Sequence, residues 1–509
     1  MKLKYLLSVV VAGSAMLIGC KKDFLKVEPN QFISPEQLGA AAAQDPSLLN
    51  GNITGLYTTM FTVGVGGTTR HDDFGQKGVD IYSDMLSSDM VLGALNYGWY
   101  APVANYTATV DFTRNEDYIP FRYYYRMVFG ANSLIDILGG TDAVPTDAAL
   151  KVTMAQAKTM RAYAYFYLTQ LYATEYGDGS KKILPLNKSA ADVNLPKSTA
   201  AEVWDLMISD LTTAISYLNG YTRSTKDQVD INVAKGLLAY VLAARGTPAD
   251  WTQVVSLTAD IMAAYPKTTA TQLVYNGSNL SSSGFNNVAT PSWMWGVDLT
   301  LAQGIDLISW WGQVDLFTYS YAWAGDPKTM DEGLYNSIRS DDIRKNQFDP
   351  PGGGLEATYG YSPGDFDYMP LNKFFDPGRI DGGQRQVTTD LLYMRADEFY
   401  LLNAEAKAHT GQDAAARTTL SSYLSDRITD VSYINALSGQ ALLDEIVLQT
   451  RIELWGEGKS YLLMKRNKST ITRGNNHLYY DGDSFTYDDP KLTFVIPQAE
   501  VINNPNLDK

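Results

Sequence analysis

Between Lys151 and Tyr172 the chain repeats apolar and small residues at three- and four-residue spacing on two faces at once. Ala162, Phe166, Thr169, Gln170 and Ala173 line one face, and Tyr163, Tyr167 and Leu171 line the other. That period belongs to an α-helix, and a helix covered on two faces must lie between two neighbours. The surrounding chain is therefore predicted to be a stack of helices. Arg122 to Leu138 has the same spacing. The next segment opens with Thr199 and Glu202 in capping-box spacing, carries Trp204, Met207, Ile208, Leu211, Ile215 and Leu218 as one stripe, and stops near Asn219-Gly220. Asn232 is placed to cap a helix running through Ala244. Thr247-Pro248 starts another, with proline at its first helical position.

Short connections between these segments predict antiparallel helical hairpins, which resemble tetratricopeptide repeats without a strict repeat length. The fold class expected is mostly α, with such hairpins about 36–60, 115–265 and 390–470. Helices are predicted to resume at Leu392–Thr410, Asp413–Ile428 and Gly439–Arg466. Between about 270 and 390 the pattern breaks into turns marked by Ser281-Ser282-Ser283-Gly284, Pro350-Pro351-Gly352-Gly353-Gly354 and Asp376-Pro377-Gly378. A second loop-rich stretch covers about 61–111.

Of the 9 tryptophans, Trp293, Trp295, Trp310, Trp311 and Trp323 fall in the long interruption, beside Tyr319 and Tyr321. Loops carried by a rigid scaffold are where ligand contacts concentrate. Flat rings suit the C–H face of a sugar, and amides, carboxylates and guanidinium groups suit its hydroxyl pairs. The platform expected is Trp310, Trp311, Tyr321 and Trp323 facing Asn96, Tyr97 and Trp99, with Asp326, Asp72 and Arg70 nearby. Trp293 and Trp295 alternate around Met294 as a short strand with one ring facing in, so both are left out.

Lys2 and Lys4 precede an apolar or small stretch from Tyr5 to Gly19, the order of a secretory signal. The stretch is shorter than the ~20 residues a spanning helix needs and runs directly into Lys21, Lys22 and Asp23. It ends Leu17-Ile18-Gly19-Cys20, a lipobox, which makes Cys20 the expected site of diacylation and 20–35 a tether to a body spanning 36–509. Each buried methylene contributes ~0.8 kcal/mol, so two acyl chains give stable anchoring at a bilayer. Cys20 is the only cysteine, so neither a disulfide nor a thiolate metal cluster is available and stability must come from packing.

Cleavage would also remove Lys2 and Lys4, taking the net charge from −15 to −17. An acidic chain without a basic stripe argues against nucleic acid as a partner. His71, His409 and His477 lack metal-ligand spacing, and Gly64-x-Gly66-Gly67-Thr68 is neither a dinucleotide nor a phosphate loop. No metal or cofactor is expected. Asp72-Asp73, Asp341-Asp342 and Asp488-Asp489 read as solvated turn charges rather than a catalytic pair.

Several segments, in order along nearly the whole chain, resemble the SusD/RagB family of surface lipoproteins. They include Cys20-Lys-Lys-Asp-Phe-Leu, Tyr123-Tyr-Tyr-Arg126 with Ala131-Asn132, and Met160-Arg161-Ala162-Tyr163-Ala164-Tyr165-Phe166-Tyr167. Tyr176-Gly177-Asp178 precedes Leu184-Pro185, and Arg395-Ala396-Asp397-Glu398 precedes Ala404-Glu405-Ala406. Arg451-Ile-Glu453-Leu-Trp455-Gly-Glu457-Gly458 comes next, followed by Ile496-Pro497, Glu500 and Asn503-Asn504-Pro505-Asn506. The resemblance implies a right-handed superhelix of tetratricopeptide-like hairpins with long irregular excursions. It also implies an outward-facing, non-catalytic lipoprotein of the outer membrane that hands a glycan to a SusC-type TonB-dependent transporter. A peptide or other nutrient in place of the glycan, a glycan-degrading enzyme and an adhesive surface protein are the alternatives. Arg161, Arg451 and Glu453, among apolar neighbours, read as structural ion pairs.

Overall fold

The computed structural model describes residues 33–278, 280 and 283–509. The signal, Cys20 and most of the tether lie outside the described residues. The helices used below are α1 (Pro35–Ala42), α2 (Gln76–Leu86), α3 (Asn115–Ile137), α4 (Ala148–Tyr172), α5 (Ala200–Tyr217), α6 (Ile231–Arg245) and α7 (Pro248–Ala264). They continue with α8 (Trp310–Val314), α9 (Asp397–His409), α10 (Asp413–Leu424), α11 (Gly439–Glu453), α12 (Ser460–Arg466) and α13 (Gln498–Asn503). None is both long and apolar enough to cross a membrane.

From α3 to α7 each helix packs on the next, so the predicted hairpins form. α4 is the centre of this stack, and every residue from Thr153 to Tyr172 is buried, as an apolar period on two faces requires. The two cations within that buried stretch are not exceptions: Lys158 and Arg161 both pair with Asp210 of α5, at 3.0 and 2.8 Å, and Arg161 also donates to Asn132 at 2.8 Å. The Thr199/Glu202 capping box is present, and Thr247 caps α7 with Asp250 in the reciprocal position. The cap of α6 is Asp230 rather than Asn232, its carboxylate accepting from both Asn232 and Val233 N–H at 2.9 Å.

After α7 the stack skips the interruption, because α7 packs on α9, and α9 packs in turn on α10 and α11. Residues 392–395, read as the start of a helix, lie in a strand. The strands here are β1 (Met90–Leu92), β2 (Lys182–Pro185), β3 (Lys197–Thr199), β4 (Trp293–Val297), β5 (Lys328–Met330) and β6 (Leu391–Arg395), and β6 pairs antiparallel with β4. Both strands are buried throughout, so Trp293 and Trp295 both face in, with Nε1–H groups donating to the Gly284 and Asp227 carbonyls. A second correction concerns 61–111: it contains α2, buried at every position although it carries Gln76, Lys77, Asp80, Ser83 and Asp84. The Asp pairs are not all solvated either. Asp73 accepts from Gly66 and Thr68 N–H at 2.7 and 3.0 Å, Asp72 pairs with Arg70, and Asp342 pairs with Arg344 at 2.6 Å.

A short ladder positions the candidate site. Met90–Leu92 (β1), which follows α2, pairs antiparallel with Lys328–Met330 (β5), placing Met90 opposite Met330 and Leu92 opposite Lys328. It joins the two loop-rich excursions, more than two hundred residues apart in sequence, at one edge of the core.

Candidate functional site

The loop leaving β1 is held against the segment entering β5 by one carboxylate. Asp326, fully buried, accepts from the backbone N–H groups of Asn96, Tyr97 and Gly98 at 2.5, 2.9 and 3.0 Å. Asn96 returns a bond, its amide donating to the Ala324 carbonyl at 2.7 Å. Gly98 has φ +83° and Gly325 φ +104°, left-handed conformations that let the two segments meet without a Cβ penalty. Asp326 is thus the acceptor that fixes the loop, buried beneath it.

With the loop fixed, Tyr97 and Trp99 meet Tyr321. Tyr321 stands edge-on to Tyr97, at 5.3 Å and 77°, and to Trp99, at 5.9 Å and 70°. His71 stacks on Trp99 at 5.1 Å and 16°, and its Nδ1 hydrogen-bonds the Tyr321 hydroxyl. The Arg70 guanidinium lies 5.0 Å from the Trp99 ring centre, bridging Asp72 (2.9 and 3.0 Å) and Glu116. Burial alone would lower the Arg70 pKa, but the two carboxylates more than offset it, so Arg70 stays charged. Asp72 is buried and holds the arginine rather than facing solvent. Burial also raises the Tyr321 phenol, so it remains a neutral donor.

Next to this group, Trp323 packs on Tyr319 at 4.9 Å, with the Arg385 guanidinium 5.0 Å from the Tyr319 ring. Gly382 lies under Trp323, where a Cβ would come within 2.6 Å of the indole. Tyr97 is 60% exposed, Tyr319 36%, and Trp99 and Trp323 are half-buried. The result is two sets of partly exposed rings, Tyr97 and Trp99 with Asn96 and Arg70 beside them, and Tyr319 with Trp323, connected in sequence through Tyr321. A recess of about 680 Å³ lined by Ile53, Val152, Tyr217 and Tyr221 shares no residue with these rings.

Two of the expected platform residues are corrected. Trp310 and Trp311 are 3% and 1% exposed, because they begin α8, which the Ser309 hydroxyl caps and the fold drives into the core. Trp310 packs edge-on to Phe374 at 4.8 Å under the Lys77 ammonium, and Trp311 donates to the Asp390 carbonyl. Their rings have no free face to offer. Of the remaining expected residues, Arg70, Asp72, Asn96, Tyr97, Trp99, Tyr321 and Asp326 gather in one place, with Trp323 beside them. His71 and Tyr319 were missed as site residues. His71 stands between Arg70 and Asp72 in sequence, which was the one available signal; its stacking depends on the β1–β5 ladder.

Comparison with known proteins places this architecture. Residues 74–242 match a family described as starch-binding and associating with the outer membrane, and residues 342–509 match the SusD family. The chain belongs to the SusD family. A SusD-like protein of Formosa agariphila is 26% identical over 151 residues, which are 30% of this chain and 27% of that relative. Among solved structures, a SusD-like carbohydrate binding protein from Bacteroides vulgatus superposes with a TM-score of 0.72 at 21% identity, over 90% of this chain and 96% of the other. The surface glycan-binding protein A from Bacteroides thetaiotaomicron gives 0.66 at 15% identity, over 90% and 97%. These neighbours share the fold of helical hairpins with irregular excursions. Family membership makes this an outer-membrane-associated chain.

Proposed function

We propose that this protein is a lipid-anchored, outward-facing binding protein of the outer membrane that captures a glycan on the Tyr97–Trp99–Tyr319–Trp323 face and passes it to a SusC-type TonB-dependent transporter. The observation that carries the reading is four partly exposed rings on loops, Tyr97 and Trp99 around Tyr321 and Tyr319 against Trp323, with the first pair held by buried polar groups. Such rings offer apolar area to sugar C–H faces at little entropic cost, and Asn96 and Arg70 offer planar hydrogen-bonding groups at the rim. The lipobox at Cys20 supports the anchor, and family membership supports the location and the transporter.

The reading is non-catalytic. A glycosidase needs an acid and a base or nucleophile about 5–9.5 Å apart across the bond to be cut. Asp72 and Glu116 are committed to Arg70, and Asp326 is committed to three backbone N–H groups. Calorimetry of the soluble body against oligosaccharides and peptides, with product analysis of the same mixtures, tests this. Saturable heat with an oligosaccharide and unchanged ligand supports glycan capture. Heat only with peptides moves the ligand class, new reducing ends make the protein an enzyme, and silence with both favours adhesion.

A further inference from the structure

On the outer stripe of α3 Tyr125 is held by the fold, donating to the Pro185 carbonyl at 2.8 Å, while Arg122, Arg126 and Phe129 are exposed. Tyr118, Arg122, Tyr125, Arg126 and Phe129 follow one another at three- and four-residue spacing and form one wall of a groove of about 540 Å³. The facing wall is built from Val193 and Asn194, and from Glu500 and Asn503 of α13. Phe129 is 59% exposed and Val193 72%.

The charges of this groove are unbalanced in availability. Arg126 is exposed and, alone among the arginines of the described residues, has neither a hydrogen bond nor an ion pair. Arg122, one turn away, is also exposed; its hydrogen-bond partner is the Tyr118 hydroxyl at 3.0 Å, and no carboxylate pairs with it among the described residues. The groove's own carboxylates are occupied. Asp192 accepts from Lys188 and Ser189 N–H at 2.7 and 2.9 Å, and Glu500 accepts from the Asn504 amide at 2.7 Å. In a chain of net charge −15, two guanidinium groups without carboxylate partners beside exposed rings form a local site for an anion. Tyr, Phe and Arg side by side are also the residues enriched in the centres of protein interfaces.

Two further observations favour a polypeptide as occupant. The groove is lined by the side-chain amides of Asn194 and Asn503 and by the guanidinium groups of Arg122 and Arg126, which suits an extended backbone with an acidic side chain. Segments far apart in sequence converge here, with Arg126 from α3, Pro185 from a short strand, and Glu500 and Asn503 from α13. The groove also adjoins the aromatic face: Arg122 lies against Gly67, in the loop that runs into Arg70 and His71.

We propose that this groove docks an extended, carboxylate-bearing segment of a partner protein, with its carboxylates on Arg122 and Arg126 and an apolar side chain on Phe129 and Val193. That the partner is the transporter rests on the function proposed above. The test uses the full-length lipoprotein in its own cells, with a photo-crosslinking amino acid in place of Phe129 and, separately, the pair R122E/R126E. The expected result is a Phe129 adduct whose crosslinked peptide belongs to a TonB-dependent transporter and contains Asp or Glu. Transporter recovered with R122E/R126E should fall at least tenfold, while R122K/R126K retains most of it and oligosaccharide affinity of the soluble body is unchanged. Undiminished co-purification with R122E/R126E would overturn the groove and leave the transport reading standing. A Phe129 adduct to lipid or to a second copy would also overturn it. Absence of any transporter in the wild-type preparation would overturn both.

Discussion

Around Glu453 three arginines converge in the core, whereas beside the Tyr100 ring, behind the loop that carries Trp99, a single buried lysine forms no ion pair among the described residues. Glu453 accepts from Arg395 at 2.9 Å, Arg427 at 3.0 Å and Arg344 at 3.1 Å, and these reach on to Glu457, Asp397 and Asp342. Burial pushes the Glu453 carboxyl up, yet Arg427, Arg395 and Arg344 together hold it well below the ordinary carboxylate range. Lys328 instead donates to the Gln313 amide oxygen at 2.7 Å and the Asp326 carbonyl at 3.0 Å, and burial lowers it to about 7. The first region closes on itself and ties β6, α9 and α11 to the excursions. The second supports a loop whose rings face outward, with polar groups that fix position and leave the rings free.

The sharpest way to break the contrast is Glu453→Gln, which leaves three buried arginines without their shared carboxylate. It should cost about 3–5 kcal/mol in urea unfolding, and a loss under about 1 kcal/mol would show that the cluster does not hold the fold. Because the Glu453 pKa is lowered on folding, its contribution is present above the unfolded value near ~4.3 and disappears as pH falls through the folded value.

Trp99→Ala should fold yet lose about 2 kcal/mol of ligand affinity, roughly thirtyfold, by calorimetry. Trp311→Ala should do the opposite, destabilising by about 3–5 kcal/mol through the cavity it leaves. Equal effects of the two on affinity would erase the distinction between face and core.

Lys328 gives the third test. Its pKa is lowered on folding, so between about 7 and about 10 the unfolded chain binds more protons than the folded one. Stability from this group therefore rises with pH across that window, by at most ~1.4 kcal/mol per unit. Lys328→Met should remove that slope, seen as unfolding midpoints measured from pH 7 to pH 9.

Asp326→Asn is the mildest change. One amide oxygen replaces a carboxylate that serves three N–H groups, at a cost of about 1 kcal/mol. Amide exchange at Asn96, Tyr97 and Gly98 should quicken while α4 stays protected.

The helical hairpins were readable because their signals are local. The Thr199/Glu202 and Thr247 caps, the two-faced period of α4 and the break after Ala264 all lie within a few turns of the residues they describe. α2 was missed because its polar residues, fully buried, give the pattern of an exposed loop. His71 was missed because nothing near it in sequence predicts a stacked imidazole.

What the sequence determined by itself is the helical stack, its interruption and the presence of aromatic residues in the interruption. What only the tertiary structure decided is which of those rings face outward. Trp310 and Trp311 look like Trp99 and Trp323 in sequence, and all four sit in loop-rich stretches. Exposure is set by pairings between segments hundreds of residues apart, above all the β1–β5 ladder and the Asp326 clasp. Local residue patterns carry backbone preference, but no information about which distant segment will cover a side chain.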